Sequence, residues 1–273
     1  MLDFFCNRMD LFYNNPVVNW HEHVREIRPE VLDTVAADRL VQAAQKLGMY
    51  KLLVSRPISA DRFCPPEDFR QANDIVAAAV ARHPDVLRGM CFVNPGFQKE
   101  AIAEIRRCVH ELHMVGVKLY HQYFIHDPVL FPLIEACIEL DIPILMHAGK
   151  LCVDPLSQPH LSNGIHFAAA ARRYPEAHFI MAHIGGGGDW SWSLKAIAPY
   201  RNIVADISGS VIDRPMIEQS VAALGADRLL FGTDGSISAG IGKLLGADIP
   251  ENDKKTILAG ENYRRFLERG EAR

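Results

Sequence analysis

The chain has 273 residues, 49% hydrophobic and 23% charged, a size that one closed βα barrel routinely fills. Its 33 acidic and 29 basic residues give a net charge of -4, and without a basic cluster this excludes nucleic-acid backbone binding as a main role. No run of about 18 apolar residues occurs, so no membrane span is expected. Six scattered cysteines with no C-x-x-C pair read as reduced thiols of a cytoplasmic protein, not as a zinc ribbon or disulfide framework.

Residues 1–15 lack the apolar core and cleavage site of a signal peptide. They read as a short extension, either a cap on the fold or an arm to a partner subunit. From there the chain alternates. Short apolar runs predict strands at Val17–His21, Tyr50–Ser55, Arg88–Asn94, Val115–Tyr120, Pro143–His147, His178–His183, Ile203–Ile207 and Arg228–Thr233. The central ones are continuously apolar, which suits parallel strands covered on both faces. Helical periodicity predicts helices over Ala36–Leu47, Asp68–Arg82, Lys99–Leu112, Val129–Leu140, Ser162–Tyr174, Trp190–Tyr200, Ile212–Leu224 and Asp253–Arg269. Breakers follow several of them: Gly48, His83-Pro84 and Tyr174-Pro175. Eight strands alternating with eight helices predict a single-domain (β/α)8 barrel, a TIM barrel. A doubly wound sheet would place a glycine-rich turn after its first strand. Here that turn reads His21-Glu22-His23-Val24-Arg25.

Polar residues of metal-ligand type stand at the carboxyl ends of these strands, the rim where barrel active sites form. His21 and His23 are two apart in a strand and so share a face. His147 ends the fifth strand, His183 the sixth and Asp234 the eighth. Singly each has an ordinary reading, as a satisfied core histidine or a turn aspartate before Gly235. Together they predict a divalent-metal site. Imidazoles with one carboxylate suit zinc best, with iron, manganese or cobalt as alternatives.

The segments His21-x-His23, Gly116–Leu119 (Gly-Val-Lys-Leu), Pro143–Gly149 (Pro-Ile-Leu-Met-His-Ala-Gly), Ala182–Gly186, Asp206–Gly209, Asp227–Asp234 and Gly260-Glu261-Asn262 occur in an order that resembles the amidohydrolase superfamily. The likeness is to its amidohydrolase-related metal-dependent hydrolases, a branch that also holds aromatic-acid and aminocarboxymuconate-semialdehyde-type decarboxylases. It runs from Val17 to Leu267. It implies that His21, His23 and His147 bind a metal with Asp234 as a further ligand able to move protons. It implies that His183 is either a second-metal ligand or an acid/base group. Lys118 would be a carboxylated bridge between two ions or an unmodified cation near substrate, and one ion is favoured. Two departures stand out: Asn19 where the branch has an acidic residue, and Tyr120-His121 where its histidine sits one position earlier.

The expected function is hydrolysis of a small amide, lactone or ester by a metal-activated water. Non-oxidative decarboxylation of an aromatic or muconate-type acid is the alternative, and a catalytically idle metal-binding barrel a further one. Arg56 and Lys150, with Lys118, are candidate anchors for a carboxylated substrate. Leu151–Pro159 is a candidate lid. The expected partner is a small-molecule substrate, with neither nucleic acid nor membrane, and a homodimer is the base-rate oligomer.

Overall fold

The structure is a computed structural model that describes residues 9–24, 33–58, 64–149, 158–209 and 211–268. Eight parallel strands run in chain order around one sheet: β1 (Val17–His23), β2 (Met49–Ser55), β3 (Leu87–Phe92), β4 (Gly116–Leu119), β5 (Ile144–Met146), β6 (Phe179–Met181), β7 (Ile203–Asp206) and β8 (Leu229–Leu230). The last strand meets the first through backbone bonds. Trp20 N donates to Phe231 O at 2.8 Å, and Thr233 N and Asp234 N both donate to His21 O, at 3.1 and 2.8 Å. The expected (β/α)8 barrel is the fold.

The described helices are α1 (Asp33–Lys46), α2 (Pro66–Arg82), α3 (Gln98–His110), α4 (Phe131–Glu139), α5 (Gly164–Arg173), α6 (Trp190–Ile197), α7 (Met216–Leu224), α8 (Ile237–Gly246), α9 (Glu251–Ala259) and α10 (Arg264–Glu268). Most lie where the apolar period puts them. In α2, Val76 and Ala79 are buried with Phe69 and Ala72, one stripe turned to the sheet. Among the described residues of the extension, 9–13 are helical. Phe12 is fully buried and meets Phe231 edge-on at 5.7 Å, so this part packs on the barrel.

Three elements differ from expectation. The helix after the seventh strand begins at Met216, because Pro215 disfavours helical backbone in the residue before it. The C-terminal helix is broken by Gly260 in a left-handed conformation, leaving α9 and α10. Helix α8 has no counterpart in the sequence reading. Its Gly240, Gly242 and Gly246 depress helix propensity, each by about 1 kcal/mol relative to alanine. Gly240 is there for packing: a Cβ would stand 2.8 Å from Thr233 Cγ2 and 3.1 Å from Gly232 O.

Every strand but β4 contributes to an apolar cluster in the barrel interior. Val18, Trp20, Leu53, Met90, Leu145, Ile180, Val204 and Leu230 pack together, and Tyr263, Phe266 and Leu267 complete the same cluster. This apolar plug fills the lower barrel and leaves only the upper rim for polar groups. On β1 the switch from plug to rim uses a bulge. Asn19 pairs with Leu52 and Glu22 with Val54, so three steps on β1 span two on β2. The extra residue resets side-chain direction. Residues of opposite parity, Val18 and Trp20 below and His21 and His23 above, can thus all face the axis.

Candidate metal centre and active site

His21, His23 and Asp234 each offer a ligand atom within 4.8 Å of the other two. His23 Nε2 lies 2.7 Å from Asp234 Oδ1 and His21 Nε2 lies 3.6 Å from the same oxygen. Ligands about 2.1 Å from a shared ion sit roughly 3–3.5 Å apart, so this spacing fits a divalent cation. His147 stands outside that trio. Its Nδ1 is 3.0 Å from His183 Nε2, while its Nε2 is buried without a hydrogen-bond partner. A buried imidazole nitrogen without a partner is unusual and suits a ligand position. The donor set of imidazole nitrogens and one carboxylate therefore fits a divalent metal.

A second trio, His21, His183 and Asp206, is equally compact but is already satisfied by hydrogen bonds. Asp206 Oδ2 is 2.9 Å from His21 Nδ1. Asp206 Oδ1 accepts from the hydroxyl of Ser208 and from the backbone N–H groups of His183 and Ser208, at 3.1 and 2.9 Å. Ser208 Oγ lies 2.8 Å from His183 Nδ1 and 3.0 Å from His21 Nδ1. Asp206 and Ser208 thus orient imidazoles. Both lie in the segment Asp206–Gly209, whose sequence alone assigns neither a role; the local signal is a strand ending in Ala-Asp after an apolar run.

Glu22 has the same character on the other side. Its carboxylate accepts from His23 N at 2.9 Å, from Gly235 N at 2.7 Å and from the Thr233 hydroxyl. Asn19, at the departure from the family pattern, donates to Thr233 Oγ1 at 2.6 Å. These bonds hold the turn in which Asp234 has a φ of 49°, a left-handed conformation uncommon for a residue other than glycine. His183 and Ile184 are also left-handed, with φ of 61° and 55°. Such backbone costs on the order of 1–3 kcal/mol per residue and persists where surroundings impose it. Around His183 they do: a Cβ on Gly209 would stand 2.8 Å from His183 Nδ1, and one on Gly186 would stand 2.9 Å from His183 O.

Burial dominates the electrostatics. It pushes the imidazoles of His23 and His183 down to about 4 and that of His147 well below its ordinary value, so these rings are neutral at pH 7 and free to act as ligands. Burial would raise the Asp234 carboxyl, but His21, His23 and His183 outweigh it and hold the group ionised. Burial raises Glu22, against the opposing bond from Thr233.

Lys118, fully buried in β4, places Nζ 2.9 Å from His21 Nε2, inside the histidine cluster. A cavity of about 380 Å³ opens above it, lined among others by His147, His183, Gly187, Ile212 and Asp234. Arg56 is not among its described lining residues, and Lys150 and residues 151–157 of the candidate lid lie outside the described residues. Trp190 is buried and donates to Asp213 Oδ2 at 2.9 Å. Trp192 is 68% exposed. Asn94 is wholly buried and caps a turn, accepting from Gly96 N at 3.1 Å. Among the described residues no helix is long and apolar enough to cross a membrane.

Known proteins resemble the chain over most of its length. Gamma-resorcylate decarboxylase of Polaromonas sp. is 27% identical, the match covering 77% of this chain and 79% of that one. A 2-keto-4-carboxy-3-hexenedioate hydratase of Sphingobium sp. is 27% identical over 44% of this chain; the chain spans about two-fifths of that relative's length, 41%. The crystal structure of a dihydroxybenzoic acid decarboxylase from Polaromonas sp., with bound manganese and the inhibitor 2-nitroresorcinol, superposes with a TM-score of 0.74 at 20% identity, covering 93% of this chain and 97% of that one. The expectation of a hydrolase is therefore corrected: these relatives are decarboxylases and a hydratase, which remove CO2 or add or remove water without hydrolysing an acyl bond. The ligand residues could not have told the two apart, since the same cation can polarise a carbonyl or orient a carboxylate. The sequence model of the family described as Amidohydrolase matches residues 52–255, and the chain belongs to that family.

Proposed function

We propose that the chain is a metal-dependent lyase that removes CO2, without an oxidant, from a small unsaturated carboxylic acid. The observation that carries the reading is the position of Asp234. Its side chain is 23% exposed while those of His21 and His23 are 0% and 4% exposed, and it lines the cavity. It is the group of the cluster through which a proton can pass between buried histidines and a substrate carbon. Similarity to a decarboxylase over 77% of the chain supports the same reading.

His21, His23, His147 and Asp234 would hold the cation, manganese as in the similar structure or zinc, iron or cobalt by donor type. When bound, it would neutralise and orient the substrate's anionic oxygens. The chain's own groups do the rest. Asp234, ionised at rest, takes a proton from the bound substrate's hydroxyl or acid group and gives it to the carbon that bears the carboxylate. The bond from that carbon to the carboxylate breaks, its electron pair returns to the conjugated system, and CO2 leaves. Ile212, Gly186 and Gly187 line the cavity beside Asp234. A cavity of about 380 Å³ lies at the small end of ligand sites and admits a single substituted ring.

The test is turnover of the Mn2+-loaded protein with a panel of hydroxybenzoic and unsaturated dicarboxylic acids in D2O. The expected result is CO2 with one deuterium at the vacated carbon. Water addition without CO2 would replace the reading with that of a hydratase.

A further inference from the structure

A chain of buried hydrogen bonds runs beneath the cavity: Lys118 Nζ to His21 Nε2 at 2.9 Å, His21 Nδ1 to Asp206 Oδ2 at 2.9 Å, Asp206 Oδ1 to Ser208 Oγ, Ser208 Oγ to His183 Nδ1 at 2.8 Å, and His183 Nε2 to His147 Nδ1 at 3.0 Å. With Lys118 taken as an ammonium and Asp206 as a carboxylate, the donor and acceptor inventory of these side chains allows one proton arrangement. An ammonium only donates, so His21 Nε2 accepts from Lys118 and its proton is on Nδ1, aimed at Asp206. The ionised carboxylate only accepts, so the Ser208 hydroxyl hydrogen points to Asp206 Oδ1. Ser208 Oγ then has only lone pairs left for its two imidazole neighbours, His183 Nδ1 at 2.8 Å and His21 Nδ1 at 3.0 Å. Both must be N–H donors. With its proton on Nδ1, neutral His183 presents a bare Nε2, which accepts from His147 Nδ1–H. His147 Nε2 is left as a bare lone pair, and that is the buried nitrogen without a partner.

We propose that Ser208 is a positioning residue whose hydroxyl transmits the proton order set by Asp206 across the barrel. It thereby fixes His21, His183 and His147 as Nδ1–H tautomers, so that the ε nitrogens of His21 and His147 carry no proton, the first accepting from Lys118 and the second without a partner. Ser208 is 2% exposed and lies outside the cavity lining, so it touches no substrate and acts only through the rings. The inference shares the metal site with the proposed function but not the reaction, and its primary readout needs no turnover.

The test is nitrogen-15 NMR of the full chain labelled at histidine, chelator-treated and Zn2+-loaded, with ring signals assigned by single histidine substitutions. In the chelated wild type, His21, His183 and His147 are expected as Nδ1–H tautomers; an Nε2–H signal for His183 or His147 would overturn the proposal without any variant. In Ser208→Ala, His183 and His147 are expected to lose that pattern, and kcat to fall by about 10–100-fold, the usual cost of removing a group that orients a ligand, with KM little changed. Ser208→Thr, which keeps the hydroxyl, is expected to restore both. Retention of the wild-type tautomers and kcat in a folded Ser208→Ala protein would also overturn it. Failure of the decarboxylase reading would leave the NMR pattern untouched.

Discussion

Replacing Gly209 by alanine should damage the protein at one identifiable point, the seat of His183. Gly209 has a φ of 84°, which costs an L-residue about 1–2 kcal/mol. The new Cβ would meet three atoms of the same side chain, His183 Nδ1, Cγ and Cβ, at 2.8, 2.9 and 3.0 Å. Ordinary contact begins near 3.4 Å, so the ring must retreat by several tenths of an ångström. The ring is boxed in by Ser208, His147 and His21, which it stacks on at 5.1 Å. Overpacking of this kind costs about 1–3 kcal/mol, for a total of about 2–5 kcal/mol. For a chain of this size each kcal/mol moves Tm by about 2–4 °C, so a fall of roughly 4–20 °C is expected in thermal melts. Turnover should fall by about 10²-fold, the scale of a small misplacement in an active site. The matched control is Gly242→Ala in α8, where an added Cβ meets nothing within 4 Å. That change should stabilise by about 0.5–1 kcal/mol. A Gly209→Ala protein with wild-type Tm and turnover would refute the claim that the glycine exists to admit His183.

Three further outcomes follow from the same geometry. His147→Ala should lower the metal content measured by elemental analysis, because the buried Nε2 without a partner is assigned to the ion; full stoichiometry would remove it from the ligand set. Glu22→Gln keeps one acceptor oxygen and so loses the bond either from the Thr233 hydroxyl or from Gly235 N, which together hold the Asp234 turn, and should weaken Mn2+ binding in a calorimetric titration by about 10–100-fold. Burial pushes the Lys243 amine down to about 8 from 10.5, against the pull of Asp206 and Asp234. Between pH 8 and 10.5 the unfolded chain therefore carries a proton that the folded chain has released, so stability from this group rises with pH across that window and is lowest below it. Urea midpoints of wild type and Lys243→Met should diverge across the window, and parallel curves would show that Lys243 is not so buried.

Much of this was legible in order along the chain. Eight short apolar runs, the central ones continuous, and the helical stripes between them specify strands covered on both faces, and the barrel follows from their alternation. The positions of His21, His23, His147, His183 and Asp234 after those runs could be read in the same way, because period and strand direction are local properties of sequence. Helix α8 escaped because its three glycines oppose helix by local propensity, while the reason for one of them, the close approach of Gly240 to Thr233 and Gly232, exists only in the folded chain. Asp206, Ser208 and Glu22 escaped for a related reason. A buried carboxylate beside an apolar run has no meaning until its partners, here up to 213 residues away in the chain, are in place. The hydrolase expectation shows the same boundary from the side of chemistry. Sequence alone determined a barrel with ligand-type residues on its rim, since those depend on pattern and spacing. Only the tertiary structure decided which imidazoles share a carboxylate, which nitrogen is left bare and which group opens to the cavity, because hydrogen bonds and burial are set by contacts between strands that sequence separation does not reveal.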